Sequence, residues 1–234
     1  MNYSLILFVL ISAISSIVPV KKELIRPGSF NQNKNILEFS NDYFPLNGNK
    51  ILIFESDFGD AELKITQENN LNVFSLKSED FIYRQKLLID EKGIFVKETY
   101  QKINLMLGIT KEGTMTYNEP LPRIKFPFEA GNKWNWKGKE FDDDAVYLLD
   151  VNSRIDRLEK IKVPAGTFEA LKLVTEVKST KGTKSFVTEW YAKDIGLIKM
   201  VAVVEGGGVL GAARDILGLG ELVFELKQIK VRSK

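Results

Sequence analysis

From Lys50 to Val231 the chain repeatedly alternates short stretches rich in β-branched and aromatic residues with Gly, Asn and Asp turns, the rhythm of an antiparallel meander. The stretches are Lys50 to Phe58, Glu62 to Glu68, Asn72 to Lys77, Phe81 to Asp90, Ile94 to Lys102, Lys133 to Gly138, Ala145 to Val151, Phe168 to Val177, Ser185 to Lys193, Leu197 to Glu205 and Glu221 to Val231. Within Phe81 to Asp90, the residues Phe81, Tyr83, Leu87 and Ile89 fall on one face of a pleated strand and Arg84, Lys86 and Asp90 on the other. One face is therefore buried and one is wet. Leu171, Leu173 and Val177 stand in the same relation to Lys172 and Glu176. In the last stretch the apolar parity changes between Leu226 and Ile229, which places a bulge near Lys227.

Two segments depart from this rhythm. Ile155, Leu158 and Ile161 are spaced by three, and Ser153 with Asp156 resembles a helix start, so Ser153 to Lys162 reads either as a short helix or as a strand. Its direct run into Val163-Pro164-Ala165-Gly166-Thr167-Phe168, a tight connection between strands, favours the strand. Val209 to Leu219 reads as one short C-terminal helix. The fold class expected is all-β: an antiparallel meander forming an open barrel or half-barrel.

Phe44-Pro45-Leu46 with Gly48-Asn49-Lys50 is echoed by Phe126-Pro127-Phe128 with Gly131-Asn132-Lys133, at an offset of 82 residues. Phe95 to Tyr100 (FVKETY) is echoed by Phe186 to Tyr191 (FVTEWY), at an offset of 91. One hairpin insertion would absorb the difference, giving two related halves, 43–125 and 126–234, in a single β-rich domain.

The uncharged run from Leu5 to Val20 (LILFVLISAISSIVPV) is shorter than the roughly 20 residues that span a bilayer and has Ala13 and Ser15 placed as before a cleavage site. Residues 1–20 therefore read as a signal segment and 21–42 as a polar spacer, which puts the domain outside the cytoplasm. An uncleaved N-terminal anchor is the alternative, because Met1 to Ser4 carries no Lys or Arg.

The 234 residues contain no Cys and no His and have a net charge of +2. Disulfides, thiolate chemistry, histidine triads and histidine-ligated zinc are excluded, and no basic footprint for nucleic acid stands out. No cofactor or metal is assigned. Gly206 to Gly211 fits a dinucleotide pattern, but too little chain follows to complete the parallel fold it needs. Glu140 to Asp144 is acidic but lacks the alternating spacing and glycine of a calcium loop. Glu98 and Glu189, equivalent in the echo, are the pair a carboxylate-dependent glycan hydrolase would use. Trp134 and Trp136 share one strand face and Trp190 and Tyr191 point to opposite faces, so these four are the candidate ligand-binding aromatics, with core packing as the alternative role.

Val163 to Phe168 (VPAGTF), Glu189-Trp190-Tyr191-Ala192 and Ile195-Gly196-Leu197-Ile198-Lys199 together resemble secreted bacterial proteins in which a VPAGTF hairpin precedes a WYA-GLVK-like strand pair. Phe44-Pro45-Leu46 with Gly48 resembles their FPL start, with Ile51 where an aromatic residue usually stands. The likeness runs from Tyr43 to Met200. It implies an open barrel or half-barrel similar to periplasmic carriers of lipoproteins and lipids, and it implies no catalytic residue. The expectation is thus a non-enzymatic exported envelope protein holding a hydrophobic or amphiphilic ligand on a curved sheet. The alternatives are a surface module that pairs with an envelope protein, and the glycan hydrolase.

Overall fold

The computed structural model describes residues 42–46, 48–56, 59–104, 110–142, 145–180, 182–206 and 221–231. In them the chain forms β1 (Lys50–Ser56), β2 (Ala61–Glu68), β3 (Leu71–Lys77), β4 (Phe81–Asp90), β5 (Gly93–Asn104), β6 (Thr110–Lys125), β7 (Lys133–Asp142), β8 (Ala145–Val163), β9 (Gly166–Ser179), β10 (Thr183–Ala192), β11 (Gly196–Gly206) and β12 (Leu222–Val231). Each strand pairs antiparallel with its sequence neighbours, and β1 pairs with β12 from Lys50↔Val231 to Ser56↔Phe224. The expected all-β meander is what forms, and it goes further than an open barrel by closing. Closure removes the unpaired edges that a half-barrel would expose.

Side-chain alternation decides which surface faces inward. Leu52, Phe54, Leu63, Phe74, Leu76, Leu87, Val96, Leu149, Val151, Leu171, Leu173, Phe224 and Leu226 are buried, whereas Arg84, Lys86, Lys97 and Lys178 lie toward solvent. The barrel is apolar inside and charged outside, the reverse of a barrel whose outer surface meets lipid.

Local chemistry sets the turns. Asn69 and Asn70 both have positive φ, 48° and 64°, and form the two-residue link between β2 and β3 that matches strand twist. At the β4/β5 turn the Asp90 Oδ1 accepts from the amides of Lys92 (2.7 Å) and Gly93 (3.2 Å). Gly93 has φ +152°, and a Cβ there would fall 2.1 Å from the Ile124 carbonyl oxygen, so only glycine fits.

Bulges bend the strands into the closed form. Ile53 faces Gln228 and Phe54 faces Leu226, which leaves Lys227 as the extra residue at the position the parity change predicts. In β8, Ile155 faces Leu173 and Leu158 faces Leu171, so a bulge falls between them. Leu158 is half exposed and no bulge separates it from Ile161, so the three apolar residues spaced by three do not share a face as they would on a helix; Ser153 to Lys162 is strand throughout.

One end of the barrel is filled by the chain itself. It carries the β2/β3, β4/β5, β6/β7, β8/β9 and β10/β11 connections. Tyr43, Phe44 and Leu46 pack there with Phe126 and Phe128 from the β6/β7 connection, and the ring centroids of Tyr43 and Phe128 lie 5.6 Å apart. The VPAGTF hairpin folds over the same end, its Ala165 amide donating to the Leu226 carbonyl of β12 at 2.9 Å. The two FP segments therefore do equivalent work. The FVKETY and FVTEWY segments do not, which corrects the second half of the echo. FVKETY lies in β5, four strands after β1, whereas FVTEWY lies in β10, three strands after β7. In an antiparallel meander those strands run in opposite directions, and inserting a two-stranded hairpin cannot restore the match.

The segment 1–20, most of the spacer 21–42, the helix expected over Val209 to Leu219 and the Gly207 to Gly211 part of the glycine-rich motif lie outside the described residues.

Candidate functional site

A cavity of about 150 Å³ occupies the barrel interior. It extends from the middle of the barrel toward the end opposite the FP segments. Leu76, Val96, Leu121, Leu149, Val151, Val177, Val187, Met200, Leu222 and Phe224 make most of its wall. Cavities of this order with wholly aliphatic walls accept small apolar molecules.

Polar groups interrupt this wall at two places. The first is built on Arg123, whose side chain points inward from β6 with 10% exposure. Its Nη2 donates to Glu189 Oε1 at 2.7 Å and to the Tyr191 hydroxyl at 3.1 Å, and its Nη1 donates to Gln85 Oε1 at 2.6 Å. Tyr191 in turn donates to Glu189 Oε1 at 3.0 Å. The guanidinium carbon also sits 4.7 Å from the centre of the Phe74 ring. Burial alone would weaken the Arg123 cation, but Glu189 and the phenol oxygens of Tyr191 and Tyr83 outweigh it and hold the group protonated above its ordinary range. Burial pushes the Tyr83 phenol up to about 12 and raises Tyr191 further.

The second polar place lies toward the opposite end, where Glu140, Thr99 and Tyr117 line the cavity. The Thr99 and Tyr117 hydroxyls share a hydrogen bond of 3.2 Å, and burial, with Glu140 nearby, raises the Tyr117 phenol. Trp136 packs edge-on against Tyr117, ring centroids 6.0 Å apart.

The four aromatic residues singled out in the sequence are all buried, Trp190 on the outer side of the sheet beneath charged side chains. Trp134 is part of the main core, its Nε1 donating to the Pro122 carbonyl at 3.3 Å. Trp136 lies behind the cavity wall with Leu149 and Val151. Trp190 and Tyr191 do face opposite ways: Tyr191 is fully buried within the Arg123 network. Trp190 lies on the outer side between Lys172 and Lys199, each 5.6 Å from its ring centre. Its Nε1 donates to Glu159 Oε1 at 2.7 Å, which is the main reason the Glu159 carboxyl is held below its ordinary value.

Glu98 and Glu189 are not brought together. Glu98 points outward and pairs with Lys86 at 2.7 Å, while Glu189 is inside with Arg123. The two carboxylates do not flank one cleft, because β5 carries a bulge before Glu98 and β10 carries none before Glu189. Sequence reasoning missed Arg123 and Gln85, and met Glu140 only as part of the acidic Glu140 to Asp144 stretch. The available signal was an Arg in an otherwise apolar and proline-flanked run, Leu121-Pro122-Arg123-Ile124. Among the described residues no group of three or more His, Cys, Asp or Glu is placed to hold a metal ion.

Two solved structures align with the chain, each over 81% of this chain and 99% of its own length. One is a candidate lipoprotein from Parabacteroides distasonis ATCC 8503, at 13% identity and a TM-score of 0.39. The other is a candidate exported protein with a YmcC-like fold from Bacteroides fragilis NCTC 9343, at 15% identity and a TM-score of 0.33. No curated protein matches. Residues 61–202, from the first residue of β2 to the middle of β11, match the model of one family, and that span exceeds half the chain: the protein belongs to the DUF3108-like family.

Proposed function

We propose that this protein is a non-enzymatic, extracytoplasmic binding protein that holds a hydrophobic or amphiphilic molecule inside its barrel. The observation that carries the reading is the cavity of about 150 Å³, walled mainly by aliphatic side chains in a barrel otherwise well filled. A void of that size costs stability, since its lining atoms forgo packing contacts. A ligand that fills it recovers them. The seal of FP segments and VPAGTF hairpin at one end leaves the cavity biased toward the other, where Glu140 and Tyr117 stand. Export rests on the Leu5 to Val20 run and a carrier role on the resemblance of the VPAGTF and WYA segments.

The four aromatics proposed from sequence act indirectly in this reading. Trp136 supports the cavity wall, Tyr191 belongs to its polar floor, and Trp134 and Trp190 brace the barrel. Native mass spectrometry of the protein purified from its envelope without detergent tests the proposal. The expected result is a population heavier than the bare chain by one small amphiphile, released on denaturation. A bare mass throughout, together with no uptake of apolar probes by the purified chain, would overturn it.

A further inference from the structure

We infer that ligand reaches the barrel interior sideways, by parting of the seam between β6 and β7, rather than through an end of the barrel. The inference rests on the ligand-binding reading above and names the route into the same site.

The ladder argues first. β6 pairs with β7 only from Met115↔Asp142 to Tyr117↔Glu140, three positions against four to thirteen at every other seam among the described residues. Both strands run on, β6 to Lys125 and β7 back to Lys133, but the hydrogen bonds that join them there each use a side chain. The Lys139 amide donates to Asn118 Oδ1 at 2.5 Å, and Trp134 Nε1 donates to the Pro122 carbonyl at 3.3 Å. Pro120 and Pro122 have no amide hydrogen to give. Parting two strands breaks the hydrogen bonds between them, so the barrel opens most readily here.

Slack argues second. Val96 of β5 faces Leu121 and Glu98 faces Thr116, so the four β6 residues Tyr117 to Pro120 stand opposite the single Lys97. Of these, Asn118, Glu119 and Pro120 are exposed. Extra chain of this kind lets β6 draw away from β7 while it stays paired with β5 on both sides of the bulge.

Position argues third. Tyr117, Leu121 and Arg123 of β6 and Glu140 of β7 line the cavity, so the seam is part of its wall. Trp136 of β7 lies behind the seam, held by Tyr117 and Leu121 on one side and by Leu149 and Val151 of β8 on the other. Movement of β6 carries Tyr117 and Leu121 with it and frees the indole, which opens a passage of aromatic and aliphatic side chains.

A short covalent link tests the route, and the absence of native cysteine makes its attachment specific. Asn118→Cys with Lys139→Cys, joined by ethanediyl bismethanethiosulfonate, locks the seam. Lys64→Cys with Ser75→Cys, which face each other on β2 and β3, is the control. The readout is stopped-flow uptake of N-phenyl-1-naphthylamine by delipidated full-length protein. The linked seam variant is expected to take up the probe at least about tenfold more slowly than the same variant after dithiothreitol removes the link, with the amount bound at equilibrium unchanged. The control is expected to show no such difference. Asn118→Ala, which removes one bridge, is expected to speed uptake about fivefold, the effect of one net hydrogen bond that must break in transit. Equal rates with and without the seam link would route the ligand through a barrel end and overturn the inference. So would an equal slowing by the control link, or an unchanged rate in Asn118→Ala. No uptake at all by the unsubstituted protein would instead overturn the ligand-binding reading itself.

Discussion

Arg123 and Glu189 sit 66 residues apart in sequence and meet across the barrel interior, with Gln85, Tyr191 and Phe74 around them. Removing one member of such a pair leaves a buried charge with no counterpart, which costs on the order of 3 to 5 kcal/mol. Arg123→Met and Glu189→Leu are each expected to lose about that much stability in denaturant unfolding. The double substitution is expected to lose distinctly less than the sum, because neither charge is left alone. The buried tyrosines of the interior give a second test. The Tyr83 phenol is pushed up to about 12, and Tyr117 and Tyr191 are raised as well, all chiefly by burial. A folded-state value above the unfolded one means stability that is complete below the unfolded value of 10.0 and lost as pH rises from there toward 12. Phenolate absorbance is therefore expected in two stages, the second coinciding with loss of β-sheet signal between those values. At this scale the sequence was half legible. Glu189 drew attention through its place in the echo, but its partner was unreadable, since nothing local to Arg123 says which residue faces it across the barrel.

Among the strands, β6 shows where local pattern fails. Thr110 to Lys125, interrupted by Gly113, Pro120 and Pro122, is absent from the strands read in the sequence, yet it is a long strand carrying Arg123, Leu121 and Tyr117 into the cavity. The prolines are tolerated because β6 pairs with β7 only at Met115, Thr116 and Tyr117. Beyond that ladder the seam is bridged by side chains: the Lys139 amide donates to Asn118 Oδ1 at 2.5 Å and Trp134 Nε1 to the Pro122 carbonyl. Gly138 is part of the same arrangement, because a Cβ there would lie 2.3 Å from the Trp136 ring and 2.7 Å from Asn118 Oδ1. The indole cannot swing away, being held between Tyr117, Leu121, Leu149 and Val151. Gly138→Ala is expected to cost about 1 to 3 kcal/mol and to alter the near-ultraviolet circular dichroism of Trp136. An unchanged spectrum and midpoint would contradict the close packing of this seam. The strands that sequence did show, such as β4, were legible because their apolar and charged residues alternate without interruption. The bulge at Lys227 was legible for the same reason, as a break in that alternation.

Taken as a whole, the barrel depends on pairs that join its ends in sequence. The β1/β12 ladder closes the sheet, and residues 42–46 and 126–128 with the VPAGTF hairpin fill one end. Strand content and the shared role of the FP segments follow from sequence, but closure does not, because a ladder between the first and last strands leaves no local signature. The cavity was equally hidden: it is what the inward side chains fail to fill, and that is set by the barrel's radius.

In the proposed function this interior, not an external groove, receives the ligand. Val187 lines the cavity, so Val187→Trp fills it from within a single position while leaving the outer surface untouched. Uptake of the fluorescent probe N-phenyl-1-naphthylamine by delipidated protein, measured beside thermal unfolding, tests the claim directly. One probe per barrel is expected for the unsubstituted chain, and no uptake by a Val187→Trp variant that still unfolds cooperatively. Equal uptake by the two folded proteins would contradict it.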